Sequence, residues 1–184
     1  MPVRYFRHEE AGAIHAALFG KESSSNVVSE LIAEWQLHNV YSLPVFVQQW
    51  MAEQYQAFRY FHQHTIALRN LLNNESGLIQ ADFCQNSFSI VAGKGNKLLL
   101  AQTYFYESPS DALYYLLKIC QEFSLLQQDV QVQLSGFIDK ESSLYRELHQ
   151  YFIHISFRDA DTVVTAENPA HFFTSLNDLA RCAL

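Results

Sequence analysis

A chain of 184 residues, 49% hydrophobic and 17% charged, has the apolar content of a globular, ordered protein with one substantial core or two smaller lobes sharing one. Its net charge of −7, with no basic cluster in any window, excludes the Lys/Arg-dense surface that nucleic-acid binding requires. No apolar run approaches the ~18 residues of a membrane span, and the N-terminus lacks a basic region followed by an apolar one. A cytoplasmic protein with no membrane insertion is therefore expected. Cys84, Cys120 and Cys182 are too few and too scattered for a disulfide framework and form no CxxC pair.

Arg7 to Phe19 predicts a helix, with Ala11, Ile14, Ala17 and Leu18 at helical spacing, Glu9 and Glu10 at its positive end, and Gly20 as the stop. A polar loop, Lys21 to Asn26, follows. Val27 to Trp35 is ambiguous, its β-branched start favouring an extended segment and its Glu, Leu and Ala content a helix, with the extended reading preferred; Asn39 to Leu43 reads as a short strand. Pro44 opens a helix to about Gln54, with Phe46, Val47, Trp50 and Met51 as its apolar face. Phe58 to Phe61 reads as a strand and Thr65 to Leu72 as a helix ended by Asn73 and Asn74. The first part thus reads roughly as α, β, α, β, α.

Three apolar runs follow with tight turns between them: Leu78 to Phe83, Ser87 to Ala92 and Leu98 to Tyr106. Ser108-Pro109-Ser110-Asp111 starts a helix to Phe123, with a capping Ser, Pro at the first position and an acid in the first turn. Ala112, Leu113, Leu116, Ile119, Cys120 and Phe123 form its buried stripe. Val130 to Leu134 is a strand, Lys140 to Phe152 a helix with Leu144, Leu148 and Tyr151 inward, and His154 to Phe157 a strand. After Pro169, Phe172, Phe173, Leu176 and Leu179 recur at helical spacing, as in a helix closing the core. Gln131 and Gln133 interleave with Val130, Val132 and Leu134, so one face of that strand is thinly covered or lines a polar cleft.

The order β-β-β-α-β-α-β, with two helical crossovers, predicts a mixed five-stranded α/β sheet of the ribonuclease H-like kind over residues 77–184. Residues 1–76 resemble the back half of a second such lobe lacking its opening meander, and two lobes in tandem make the actin-like ATPase architecture. Asn39-Val40-Tyr41-Ser42-Leu43-Pro44, Phe61-His62 to Leu72, Thr103-Tyr104-Phe105-Tyr106 running into Asp111-Ala112-Leu113-Tyr114-Tyr115-Leu116-Leu117, and Leu134-Ser135-Gly136-Phe137-Ile138 before Ser143-Leu144-Tyr145 resemble an uncharacterised family known chiefly from Bacteroidetes. The resemblance implies an actin-like fold with no assigned function. It also implies a further N-terminal meander, whose lack here would reflect a shortened chain, a misplaced start codon or a trimmed relative.

Actin-like ATPases grip phosphate with Asp-plus-Gly hairpins, because backbone must approach phosphate oxygens closely. The resemblance places the second hairpin at Asp82-Phe83-Cys84-Gln85-Asn86, where Cys84 and Asn86 stand in for glycines, and the adenosine turn at Gly136-Phe137, where Phe137 replaces one. Asp82 and Gly136 are thus the residues that would hold a nucleotide in a surviving ATPase. The favoured expectation is a degenerate module with no cofactor and no catalysis, acting on an unknown protein partner or by self-association through an exposed edge of the first sheet. Other chemistry has thinner support. Asp82 and Asp139, with Asp111 or Glu122, would be the acids of a two-metal nuclease. His62 and His64 form an H-x-H pair with no third ligand. His149 and His154 flank an aromatic segment, no cation near Cys84 favours its thiolate, and Tyr104, Tyr106, Tyr114 and Tyr115 form an aromatic group suited to packing or to an interface.

Overall fold

The computed structural model describes residues 1–20, 23–72, 74–158, 160 and 168–183, so Lys21, Glu22 and Asn73 of the predicted loop and helix stop lie outside the described residues. The chain divides into two units, Met1–Thr65 and Ile66–Leu184.

In the first unit, α1 (His8–Phe19) ends at Gly20, whose φ of +86° suits a residue without a Cβ. Strands β1 (Ser25–Ile32) and β2 (Leu37–Pro44) form an antiparallel hairpin, with Ser25 opposite Pro44 and Ile32 opposite Leu37. A 3-10 turn, Ala33–Trp35, and left-handed Gln36 connect them. Helix α2 (Val45–Gln54) follows, and α3 (Gln63–Arg69) crosses the boundary between the units. The order is α-β-β-α-α, not the alternating one expected.

Residues 58–61 are not a strand, because no neighbouring chain supplies a ladder there. Instead the Phe58 and Tyr60 rings meet edge-on, and the His62 N–H donates to the Glu30 carboxylate. The predicted face of α2 is only partly packed: Phe46 and Trp50 are exposed, Val47 and Met51 are half-buried, and no residue of the helix is fully buried.

The element order of the second unit is the one its pattern predicts. β3 (Leu78–Phe83), β4 (Ser87–Lys94) and β5 (Lys97–Phe105) form the meander. Next come α4 (Pro109–Glu122), β6 (Gln131–Gly136), α5 (Ser143–His149), β7 (His154–Phe157), a 3-10 turn at Ala170–Phe173, and α6 (Thr174–Ala183). The sheet order is β5-β4-β3-β6-β7, with β6 parallel to both of its neighbours.

Helix α4 starts in a full capping box: Asp111 N–H donates to Ser108 Oγ, and Ser108 N–H to Asp111 Oδ2. Helix α5 begins three residues later than expected. Asp139 first turns the chain by accepting from Glu141 N–H, and Ser142 then caps the helix. Tyr151, expected inward, is exposed, and Phe152 is buried in its place.

Alternation splits this sheet into two unlike faces. Ile79, Ala81, Phe83, Phe88, Ile90, Ala92, Val132 and Leu134 pack with α4 and α5 to make the core. The opposite face carries the buried Leu78 and Val91 but is polar towards the carboxyl end of β3: Asp82 lies beside Ser89 on β4 and Ser135 on β6, while Ser89 lies beside Thr103. Gln80 donates to Gln133 at 3.0 Å on the same face, which accounts for the glutamine alternation of β6.

Helix α6 is therefore inverted relative to expectation. Thr174 and Asp178 are buried, whereas Leu176 is 64% exposed and Phe173 and Leu179 are more than one-third exposed. The surface it meets is polar, so its polar side turns inward.

Candidate functional site

The chemistry of the second unit gathers at the carboxyl ends of parallel neighbours β3 and β6, the end at which open α/β sheets carry their ligands. Register places Asp82 beside Ser135 and Phe83 beside Gly136, so the two residues singled out for nucleotide binding lie one step apart on adjoining strands.

Both oxygens of Asp82 have partners. Ser135 Oγ donates to Oδ1 at 2.6 Å, and Ser175 Oγ, from α6, donates to Oδ2 at 2.7 Å. Behind Ser175, Asp178 pairs with Arg158 at 2.6 Å. Burial pushes the Asp178 carboxyl upward, Asp82 adds to this, and Arg158 opposes it. Thr174 Oγ1 donates to the Arg158 carbonyl, and the His171 ring stacks on Phe157 with Nε2 at 2.7 Å from the Ile138 carbonyl. Among the described residues both serines donate to Asp82, which makes this a hydrogen-bonded seat for a helix and not the nucleophile-base-orienter relay of an activated serine.

Gly136 has φ +77°, and a Cβ built on it would stand 2.2 Å from the Phe83 carbonyl oxygen and 2.8 Å from the Phe83 nitrogen. Phe137 N–H donates to that same carbonyl at 2.7 Å, so the glycine lets the two strands close on each other. The turn at residues 84–86 is tied down by Tyr106, whose Oη donates to the Cys84 carbonyl and whose N–H donates to the Asn86 carbonyl. Burial, then Asp82, pushes the Cys84 thiol up, away from the reactive thiolate.

The acids of the nuclease reading do not assemble. Asp139 holds the turn before α5, and Asp111 is the α4 cap, its carboxyl held below the usual range by hydrogen bonds from Glu107 and Ser108. Among the described residues no group of three or more His, Cys, Asp or Glu side chains could hold a metal ion. Tyr104 stacks on Tyr115 at 4.3 Å and packs against the core, while Tyr114 is exposed. His149 and His154 are at the surface.

In the first unit, His62 and His64 are a half-buried ring pair 5.1 Å apart, with the His64 N–H donating to His62 Nδ1. Burial first, then the charge of His62, pushes His64 down to about 4; burial also lowers His62, against the pull of Glu30. A histidine whose folded pKa lies below its unfolded value of ~6.5 takes up its proton more readily when unfolded. The stability of this unit is therefore expected to be full above about pH 6.5 and to fall as pH drops towards 4. Urea midpoints across that range, compared with His64→Phe, check this: the variant's pH slope should be shallower.

Ser135, Arg158, Ser175 and Asp178 were missed by motif reading. The interleaved polar residues of β6 pointed to their face, and Thr174, Ser175 and Asp178 share one side of a helix.

A family model described as "Protein of unknown function (DUF3822)" matches residues 1–155. The chain belongs to the DUF3822 family. Among solved structures it is similar to a Bacteroides thetaiotaomicron VPI-5482 protein described as having an actin-like ATPase fold and unknown function. The TM-score is 0.79 at 19% identity, covering 99% of this chain and 68% of that one. No curated protein matches. At that identity the likeness shows the fold, and this DUF3822 chain has the mixed sheet and element order of the actin-like, ribonuclease H-like class. Among the described residues no helix is long and apolar enough to cross a membrane.

Proposed function

We propose that this chain is a degenerate actin-like module with no catalytic step, which acts through protein contacts. One observation carries the reading: both oxygens of the carboxylate at the phosphate-grip position are taken by hydroxyls of the chain itself, one of them from α6. Two others support it. The turn that would wrap phosphate bears Cys84 and Asn86 with their carbonyls held by Tyr106, and Gly136 packs against strand backbone. A nucleotide would have to displace a helix and then meet side chains where close backbone approach needs glycine.

Thermal melting with millimolar Mg-ATP tests this. A ligand at ~100 times its dissociation constant stabilises by about 2.7 kcal/mol, a shift of several degrees for a domain of this size. No shift is expected. A saturable shift that Asp82→Ala removes would establish the nucleotide-binding alternative.

A further inference from the structure

Helix α6 sits on the sheet the wrong way round for an element held by apolar packing. Leu176, Leu179 and Ala180 share its outer side and are exposed, whereas Thr174 and Asp178 are the buried ones among its described residues. Among the described residues, the hydrophobic core of the second unit runs from Ile79 to Phe152 with flanking side chains up to Phe157, and it takes in no residue of α6. The helix is held by polar contacts instead. The exposed Ser175 donates through Oγ to Asp82 Oδ2 at 2.7 Å, Arg158 pairs with Asp178 at 2.6 Å, and Arg181 also has a partner. The turn before α6 is anchored separately. His171 is buried, with its ring stacked on Phe157 at 4.0 Å, and Thr174 Oγ1 bonds to the Arg158 and His171 carbonyls. A fixed turn thus gives way, just after Thr174, to a helix with little apolar footing.

We propose that α6 is a releasable cover over the Asp82 end of the sheet. It comes off as one unit while the sheet, α4 and α5 stay folded, and its release frees Asp82 Oδ2 and opens the face on which Ser135 lies. Its outer leucines are already in water, so release wets little further apolar surface, and water replaces the Ser175 bond at small net cost. Segments with few buried apolar contacts are those that open below the limit set by global unfolding. The Arg158–Asp178 pair supplies the resistance, because parting it leaves a largely buried guanidinium without its counter-ion. The closed form is therefore the resting state and the open form a minor one. The cover does not depend on whether a nucleotide binds.

Native-state hydrogen exchange of the full chain, from no urea to just below the unfolding transition, tests this. The amides of Asp178, Leu179, Ala180 and Arg181 should exchange at least about 100-fold faster than those of β3 and β6. They should share one opening equilibrium that barely responds to urea, since urea dependence scales with surface exposed. Ser175→Ala, at the end of the helix away from the terminus, should speed all four by about tenfold. In Ser135→Cys, with Cys84→Ser removing the exposed thiol, position 135 should be labelled by a thiol reagent in step with α6 exchange, while the buried Cys120 stays protected. Exchange of α6 at the rate and urea dependence of the sheet overturns the proposal. Rates graded towards the C-terminus and indifferent to Ser175→Ala, which are fraying alone, overturn it as well. So does a position 135 that stays protected while α6 exchanges.

Discussion

Gly136→Ala is expected to cost about 3–5 kcal/mol, at the upper end of what single substitutions do. The new methyl carbon would meet the Phe83 carbonyl oxygen at 2.2 Å and the Phe83 nitrogen at 2.8 Å, and both belong to the neighbouring strand backbone, which cannot swing aside as a side chain would. Relief requires β3 and β6 to part at their carboxyl ends, losing the hydrogen bond from Phe137 N–H to Phe83 and loosening the seat of Asp82. The positive φ adds about 1–2 kcal/mol for any residue with a Cβ. Against a typical stability of about 5–15 kcal/mol, a large part of the unit's margin goes. Urea unfolding followed by circular dichroism measures it, with Gly95→Ala as the control. That glycine also has positive φ, but its nearest neighbour is the Glu75 carboxylate at 3.5 Å, so about 1 kcal/mol is expected there. Equal midpoints for the two variants would mean that the close approach at Gly136 does not govern the strand contact.

Asp178→Ala is expected to be the next most damaging change, at about 2–4 kcal/mol, because it strands the Arg158 guanidinium against a largely buried surface. The arginine side chain is 19% exposed and reaches water in part, which holds the figure below the range for a wholly buried charge. The loss should centre on α6, whose grip on the sheet is polar throughout: Ser175 on Asp82, Asp178 on Arg158 and Thr174 on the Arg158 carbonyl. Replacing both members, Arg158→Leu with Asp178→Leu, is expected to recover much of the stability, since an apolar pair avoids the desolvation that each ion bears alone. A double-mutant cycle in urea reads the coupling. If the double variant is as unstable as the sum of the singles, the pair is not what seats the helix.

The sheet of the second unit and helix α4 were legible because they satisfied more than one rule each. The meander had alternation and turns, α4 had a cap, a proline and a stripe, and the crossovers followed from strand count. The first unit was not. Phe58 to Phe61 has the composition of a strand but no partner, and composition cannot supply one. Helix α6 shows a different failure. Its periodicity was visible in Phe172, Leu176 and Leu179, but periodicity reveals that a helix has two sides without revealing which side the sheet will take. That was decided by Asp82, Ser89 and Ser135, residues on other elements. At the candidate site, the motif positions Asp82 and Gly136 were read from resemblance, whereas the serines and the ion pair that engage this end of the sheet come together only through parallel pairing and the return of the C-terminal helix.

The sparse interior of the first unit bears on the thermodynamics of the whole molecule. Among its described residues Ala11 and Ile32 are the fully buried hydrophobic ones, whereas the second unit encloses a cluster running from Ile79 to Phe152. The heat-capacity change of unfolding scales with apolar surface newly wetted. Curvature in the stability–temperature profile must therefore come overwhelmingly from the C-terminal portion. The N-terminal portion, with less apolar surface to wet, contributes a flatter component.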